Sequence, residues 1–224
     1  MPREQYQTKL EELRDDVLYM GELVAERLRT GLDALKRQDG ALGEEVIRGD
    51  AEINELYLEL ESQCTDLIAL QQPVAGDLRF IAASFKIITD LERIADLATN
   101  LGRYAGRGDH EVFPDVDIQR IGDDTLEMLD GAMIAYAESD VDRCRAVAEA
   151  DADVDAACEA ASDLVVRELI ERDELRGDDD IEPTMRNVSR LLLTVRDLER
   201  VGDHAVNIAA RSLYMIENDD ELLY

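Results

Sequence analysis

The chain contains no tryptophan, only three phenylalanines and four prolines, and aromatic residues make up 4 % of its 224 positions. So few rings and so few breakers point to long helices. Lysine is nearly absent, at Lys9, Lys36 and Lys86, and arginine supplies the remaining basic residues. The 53 acids outnumber the 24 bases, for a net charge of −29. That balance excludes nucleic acid as a partner, since a phosphate backbone requires a basic surface. Cys64, Cys144 and Cys158 form no CxxC pair, and are read as free, buried thiols in a reducing compartment. No apolar run approaches the roughly 20 residues of a membrane span. The charged first sixteen residues lack an apolar leader core, which predicts a cytoplasmic protein.

What is abundant is Leu, Ala, Glu, Asp and Arg, the vocabulary of long helices. A chain that is 46 % hydrophobic folds, so its charge coats a surface rather than signalling disorder. An acidic, lysine-poor surface fits a cytoplasm at very high salt, where repulsion is screened within about 3 Å at 1 M. Unfolding on transfer to salt-free buffer is the outcome this reading predicts, and a folded, monodisperse protein there would remove its basis.

The chain repeats itself. Asp90-Leu91-Glu92-Arg93-Ile94-Ala95-Asp96 returns as Asp197-Leu198-Glu199-Arg200-Val201-Gly202-Asp203, an offset of 197 − 90 = 107, and the echo includes Arg79/Arg186, Ala98/Ala205 and Asn100/Asn207. A repeat on this scale is one supersecondary unit used twice. The periodicity predicts six helices and no strands: about Gln5–Gln38, Leu42–Leu70, Ala75–Tyr104, Asp117–Glu138, Val141–Leu175 and Thr184–Ile216. Breaks at Gln38-Asp39-Gly40 and Ser139-Asp140 correspond at an offset of 101, so six extra residues are expected near Arg172 to Glu182. Short loops make neighbours antiparallel, giving an all-α fold of two tandem three-helix bundles, 1–105 and 117–224, joined by a linker at 106–116 that carries His110 and Pro114.

With about 100° per residue and Leu91 at zero, Ile94, Ala98 and Leu101 form one apolar stripe, while Glu92, Asp96 and Asn100 fall on the opposite side. Leu198, Val201, Ala205 and Ile208 repeat the core stripe, and Glu199, Asp203 and Asn207 the acidic one. The preceding helix of each half carries a second i, i+4 pair: Asp151 with Asp155, and, 101 residues earlier, Asp50 with Asn54. If the pairs meet across the helix–helix groove, four side chains converge. Such an all-oxygen set suits magnesium, calcium, manganese or iron rather than structural zinc. A solvated acidic face is the plainer alternative, which makes the chain a metal-free helical adaptor. A di-iron oxidase is excluded, because that chemistry uses Glu-x-x-His pairs pointing into a bundle core, and His204 beside Asp203 has no such spacing. His204 is expected to be a partly exposed side chain and not a ligand.

Gln72-Pro73-Val74-Ala75-Gly76-Asp77-Leu78-Arg79, the two Asp-Leu-Glu-Arg-x-x-Asp runs, the extension His204-Ala205-Val206-Asn207-Ile208, and Val46-Ile47-Arg48-Gly49-Asp50 together resemble the PhoU family across essentially the whole chain. The resemblance implies a cytoplasmic accessory regulator of phosphate uptake and of phosphate-starvation signalling, acting by binding and not by turnover. Its implied partners are the ATPase subunit of the phosphate ABC transporter and a membrane sensor kinase, with a homodimer plausible and membrane contact only through partners. It also implies iron or zinc clusters on the bundle surface, held by Glu92 with Asp96, Glu199 with Asp203, and Asp151 with Asp155. Asn54 departs from that pattern, so weaker metal binding is expected in the first half. Ala95 in place of the glycine kept at Gly202 is expected to matter little.

Overall fold

A computed structural model describes residues 3–70, 73–106, 116–173 and 181–223. The described residues form six helices and no strands: α1 (Arg3–Arg37), α2 (Gly40–Leu70), α3 (Ala75–Ala105), α4 (Ile118–Glu138), α5 (Val141–Asp173) and α6 (Ile181–Glu217). The expected helix end at Leu175, the six-residue insertion and acidic loop around residues 174–180, and His110 and Pro114 of the linker lie outside the described residues. α6 starts three residues before the expected Thr184, because a proline in a first turn gives up no helical hydrogen bond.

The repeat is visible in the turns. Gln38 and Ser139, 101 residues apart, both take a left-handed conformation, at φ 51° and 57°, and each ends its helix. The following aspartate then starts the next one. Asp39 accepts from the Ala41 and Leu42 amides at 2.9 and 3.1 Å, and Asp140 accepts from the Arg143 amide at 3.0 Å.

Within each half, three helices pack around one another, and α3 then packs along α6 while α1 touches α4. The apolar stripes Leu91, Ile94, Ala98, Leu101 and Leu198, Val201, Ala205, Ile208 are wholly buried, and Ile87, Ile88, Ala95 and Leu97 extend the burial around α3. One hydrophobic cluster runs from Tyr6 to Leu213 through both halves. The two bundles therefore share a core rather than standing as separate units. Their relation is close to a two-fold: Gly21 on α1 receives Met133 of α4, and Gly122 on α4 receives Leu32 of α1, both pairs offset by 101. A Cβ on Gly21 would stand 2.6 Å from Met133 Cε.

Polar contacts fix the seam. The leading aspartate of each motif crosses to the other half: Asp90 Oδ1 lies 2.9 Å from His204 Nδ1 and accepts from Asn207 Nδ2 at 3.4 Å, while Asp197 Oδ2 accepts from the Tyr104 hydroxyl at 3.0 Å. Asp197 has no exposed surface, and the Arg196 guanidinium stands 3.5 Å from its other oxygen. Burial, followed by Asp197, pushes the Tyr104 hydroxyl up to about 12. Tyr136 of α4 lies 2.8 Å from the buried Ser84 hydroxyl of α3 and stacks on Phe80, centroids 6.1 Å apart.

Removing one partner of a buried hydrogen bond leaves the other unsatisfied, at a cost of about 1–3 kcal/mol. Tyr104→Phe leaves Asp197 without its donor. Urea unfolding should show a loss of that size, and a change below about 0.5 kcal/mol would remove the seam contact from the account.

Candidate metal centre

The four side chains expected in each half, three acids and Asn54 in the first and four acids in the second, lie on its second and third helices. α2 and α5 bring Asp50 with Asn54 and Asp151 with Asp155, and α3 and α6 bring Glu92 with Asp96 and Glu199 with Asp203. The motif acids are not on open solvent throughout, since the Glu92 side chain is 22 % exposed against 50 % for Asp96. The two helices of each half meet electrostatically at these positions. Glu92 is raised from the ordinary carboxyl range, first by burial and then by Asp96, with Asp50 of α2 contributing and Arg93 and His204 opposing. Asp151 is pushed up to about 6, first by burial and then by Asp155, Asp203 and Glu199. Glu199 is raised by burial, Asp155 and Asp203. Among the described residues no three His, Cys, Asp or Glu side chains are closed onto one point at ion-binding geometry. These are coupled carboxylates facing one groove.

The halves differ in how that charge is met. Asp50 accepts from the Asn54 amide at 2.9 Å on one oxygen and from the Thr99 hydroxyl at 3.4 Å on the other. Arg93 lies 3.6 Å from Glu92 and 4.0 Å from Asp96. In the second half Asn54 becomes Asp155 and Thr99 becomes Val206 (99 + 107), and neither can donate. Asp151 Oδ1 is buried with no hydrogen-bond partner, and Arg200, the counterpart of Arg93, pairs with neither acid of its motif among the described residues. A desolvated, unpartnered carboxylate oxygen beside three further acids is the arrangement a cation would complete. The residues fit a hard ion in the second half, whereas in the first half Asp50, the counterpart of Asp151, already has a protein donor on each oxygen.

The glycine difference also carries more than a methyl. A Cβ on Gly202 would stand 3.2 Å from Asp151 Oδ1, so glycine leaves the space that this carboxylate uses. Ala95 fills the equivalent place in the first half.

Thr99, Asp90, Asp197 and Tyr104 were not among the expected site residues. The helical count contained part of the signal: Asp90 falls at about 260°, beside the apolar stripe and not on the acidic one. His204 is partly exposed, as expected, at 17 % of its side chain, but its contact with Asp90 joins residues 114 apart and no periodicity shows that.

Folding raises the Asp151 pKa from 3.8 to about 6, so the folded chain holds this proton more tightly than the unfolded chain. The stability it contributes is complete below pH 4, is lost as pH rises from about 4 to about 6, and stays lost above. Asp151→Asn should flatten that decline and, in chelator-treated protein at neutral pH, add stability of order 1 kcal/mol after allowance for partial exposure. Parallel pH–stability curves for the two proteins would contradict the assignment.

The PhoU domain profile matches residues 17–105 and again 118–212. A phosphate-specific transport system accessory protein PhoU homolog of Pseudomonas putida is 33 % identical over 223 residues, covering 97 % of this chain and 82 % of its own. The corresponding homolog of Clostridium acetobutylicum is 31 % identical, with 96 % of both chains covered. The crystal structure of PhoU from Pseudomonas aeruginosa superimposes with a TM-score of 0.88 at 30 % identity, over 96 % of this chain and 100 % of that one. The phosphate transport system regulatory protein PhoU from Streptococcus pneumoniae shares the fold, with a TM-score of 0.86 at 24 % identity. The repeated motif, the six-helix architecture and these likenesses agree: the chain belongs to the PhoU family, with one copy of the PhoU domain in each half.

Proposed function

We propose that this chain is an accessory regulator of phosphate transport that works by binding, restraining uptake and starvation signalling when phosphate is sufficient. The full-length likeness to phosphate-specific transport system accessory proteins carries this reading. The ATPase subunit of the phosphate ABC transporter is its first partner and a membrane sensor kinase its second, with a homodimer as the working assembly. No described helix is long and apolar enough to cross a membrane, so contact with the transporter is peripheral. A site that binds and releases a regulator needs rigid presentation and not catalytic groups, and helices locked by a shared core supply it.

A metal ion belongs to this reading in the second half. Asp151, Asp155, Glu199 and Asp203 would hold it. The observation that supports this is the buried, unpartnered Asp151 oxygen. Iron, manganese or magnesium suits an all-oxygen set, and zinc suits it less well because no described Cys or His joins the four. When bound, the ion supplies positive charge that offsets the four carboxylates. The chain's own residues do the rest: Gly202 leaves room for Asp151, and the α5–α6 packing holds the two pairs face to face.

Because the halves share a core, the test uses variants of the intact chain. Protein purified without chelator should retain metal by elemental analysis. Asp151→Asn with Glu199→Gln should lose most of it, and Asp50→Asn with Glu92→Gln should lose little. Equal losses from both variants, or no metal in the parent, would contradict the site. For the regulatory role, cells lacking this protein should take up phosphate faster under phosphate-rich conditions, and the intact chain should restore restraint. Uptake unchanged by its deletion would contradict the role.

A further inference from the structure

The internal repeat provides a comparison within one molecule. In the first half Arg27 leaves α1 and lies across α2, where a Cβ on Gly49 would stand 2.5 Å from its Nε and 2.7 Å from its Cζ. Its guanidinium donates to Glu52 Oε2 at 3.0 Å, and the side chain is 17 % exposed. The groove between α1 and α2 is thus plugged by a resident arginine. At the same offset of 101, the second half keeps an acid at Asp153 and a small residue at Ala150 but has Met128 in place of Arg27.

Met128 does not take over the role of the plug. It is buried, with its methyl 3.7 Å from where a Cβ on Gly202 would be, turned into the core. An open cavity of about 700 Å³ remains between α4 and α5, floored by Met128, lined by Gly131, Ala146 and Ala150 and edged by Glu127 and Asp153. The rim arginines are already matched, Arg120 to Asp124 at 3.9 Å and Arg143 to Asp140 at 3.6 Å. Glu127 and Asp153 have no ion-pair partner among the described residues.

We propose that the α4–α5 groove is a docking site for an arginine carried on a helix of a partner protein, its stem laid over Ala150 and its guanidinium on Asp153, as Arg27 lies over Gly49 on Glu52. A planar fork donor matches a carboxylate bidentately, and its weakly hydrated stem packs on small side chains. At high salt only contact-range pairing survives screening, and the two unpaired acids at this rim, Glu127 and Asp153, fit a cationic side chain there rather than an acidic one. The contacts proposed, Ala150 and Asp153, are distinct from the metal acids Asp151, Asp155, Glu199 and Asp203, and comparing two peptides on the unaltered chain reads the groove without changing any of those acids.

The test uses the intact chain at high salt and two short alanine-based helical peptides, one with a single arginine and one with its neutral isostere citrulline. The arginine peptide should perturb the amide resonances of Gly131, Ala146, Ala150 and Asp153 saturably. The citrulline peptide should bind about tenfold more weakly, and Asp153→Asn should bring the arginine peptide down to the same level. Met128→Arg with Ala150→Gly should abolish binding by filling the groove from within. Equal binding of the two peptides, perturbations centred elsewhere, binding unaffected by Asp153→Asn, or no saturable binding would overturn the proposal. Self-association that depends on Asp153 would identify a second copy as the occupant and would overturn it too.

Discussion

The mutual burial of α3 and α6 is the constraint on which the rest of the structure depends. Each is the third helix of its own half, and each is also packed against the third helix of the other, so two sides of each motif are held and only the side carrying Arg93, Asp96, Glu199 and Asp203 is open. A helix confined in this way has its azimuth fixed to within a side chain's width, and the position of every polar residue along it follows. The leading aspartate of each motif is directed across the seam, and the following Glu and Asp toward the α2 or α5 groove. One seven-residue phrase therefore serves two purposes, bracing the halves with its first acid and presenting a carboxylate pair with the other two. Burial of Asp197 beside Tyr104, and of Asp90 beside His204 and Asn207, makes the brace directional, because such hydrogen bonds tolerate little rotation.

With position fixed, desolvation decides what each carboxylate does. Two grooves of the same ancestry have settled their charge differently. In the first, an amide, a hydroxyl and an arginine answer the acids. In the second, the amide is an acid, the hydroxyl is a valine, and Asp151 is left raised to about 6 with a buried oxygen unanswered. Natural structures keep such groups for a reason, and a cation is the simplest one here. The same divergence is seen on the opposite side of the second helices, where Arg27 closes one groove and Met128 leaves the other open. At these two places the first half meets Asp50 and Glu52 with its own donors, and the second half offers Asp151 and Asp153 none.

Much of this was legible in the sequence. The heptad-like spacing of Leu91, Ile94, Ala98 and Leu101 fixes which side of α3 is core, and the offsets of 101 and 107 give the order of elements. The carboxylate pairs could be read from i, i+4 spacing alone, and Asn54 marked the asymmetry between halves. What could not be read is long-range. That α3 packs on α6 depends on a second apolar side, and Ile87, Ile88, Ala95 and Leu97 only widen a stripe that periodicity treats as one face. Thr99 falls at about 80°, beside Glu92 on the acidic side, but that its hydroxyl meets Asp50 depends on where α2 packs. The space at Gly202 is legible only once α5 lays Asp151 across it. Sequence periodicity describes a helix against one neighbour, and these features arise where a helix has two.

The central claim is that the second-half groove, and not the first, is completed by a cation. An anomalous difference map recorded at metal absorption edges, from crystals grown without chelator, tests it most directly. The account predicts a peak among Asp151, Asp155, Glu199 and Asp203 and none, or a much weaker one, among Asp50, Asn54, Glu92 and Asp96. Peaks of equal height at both, or one confined to the first half, would contradict it.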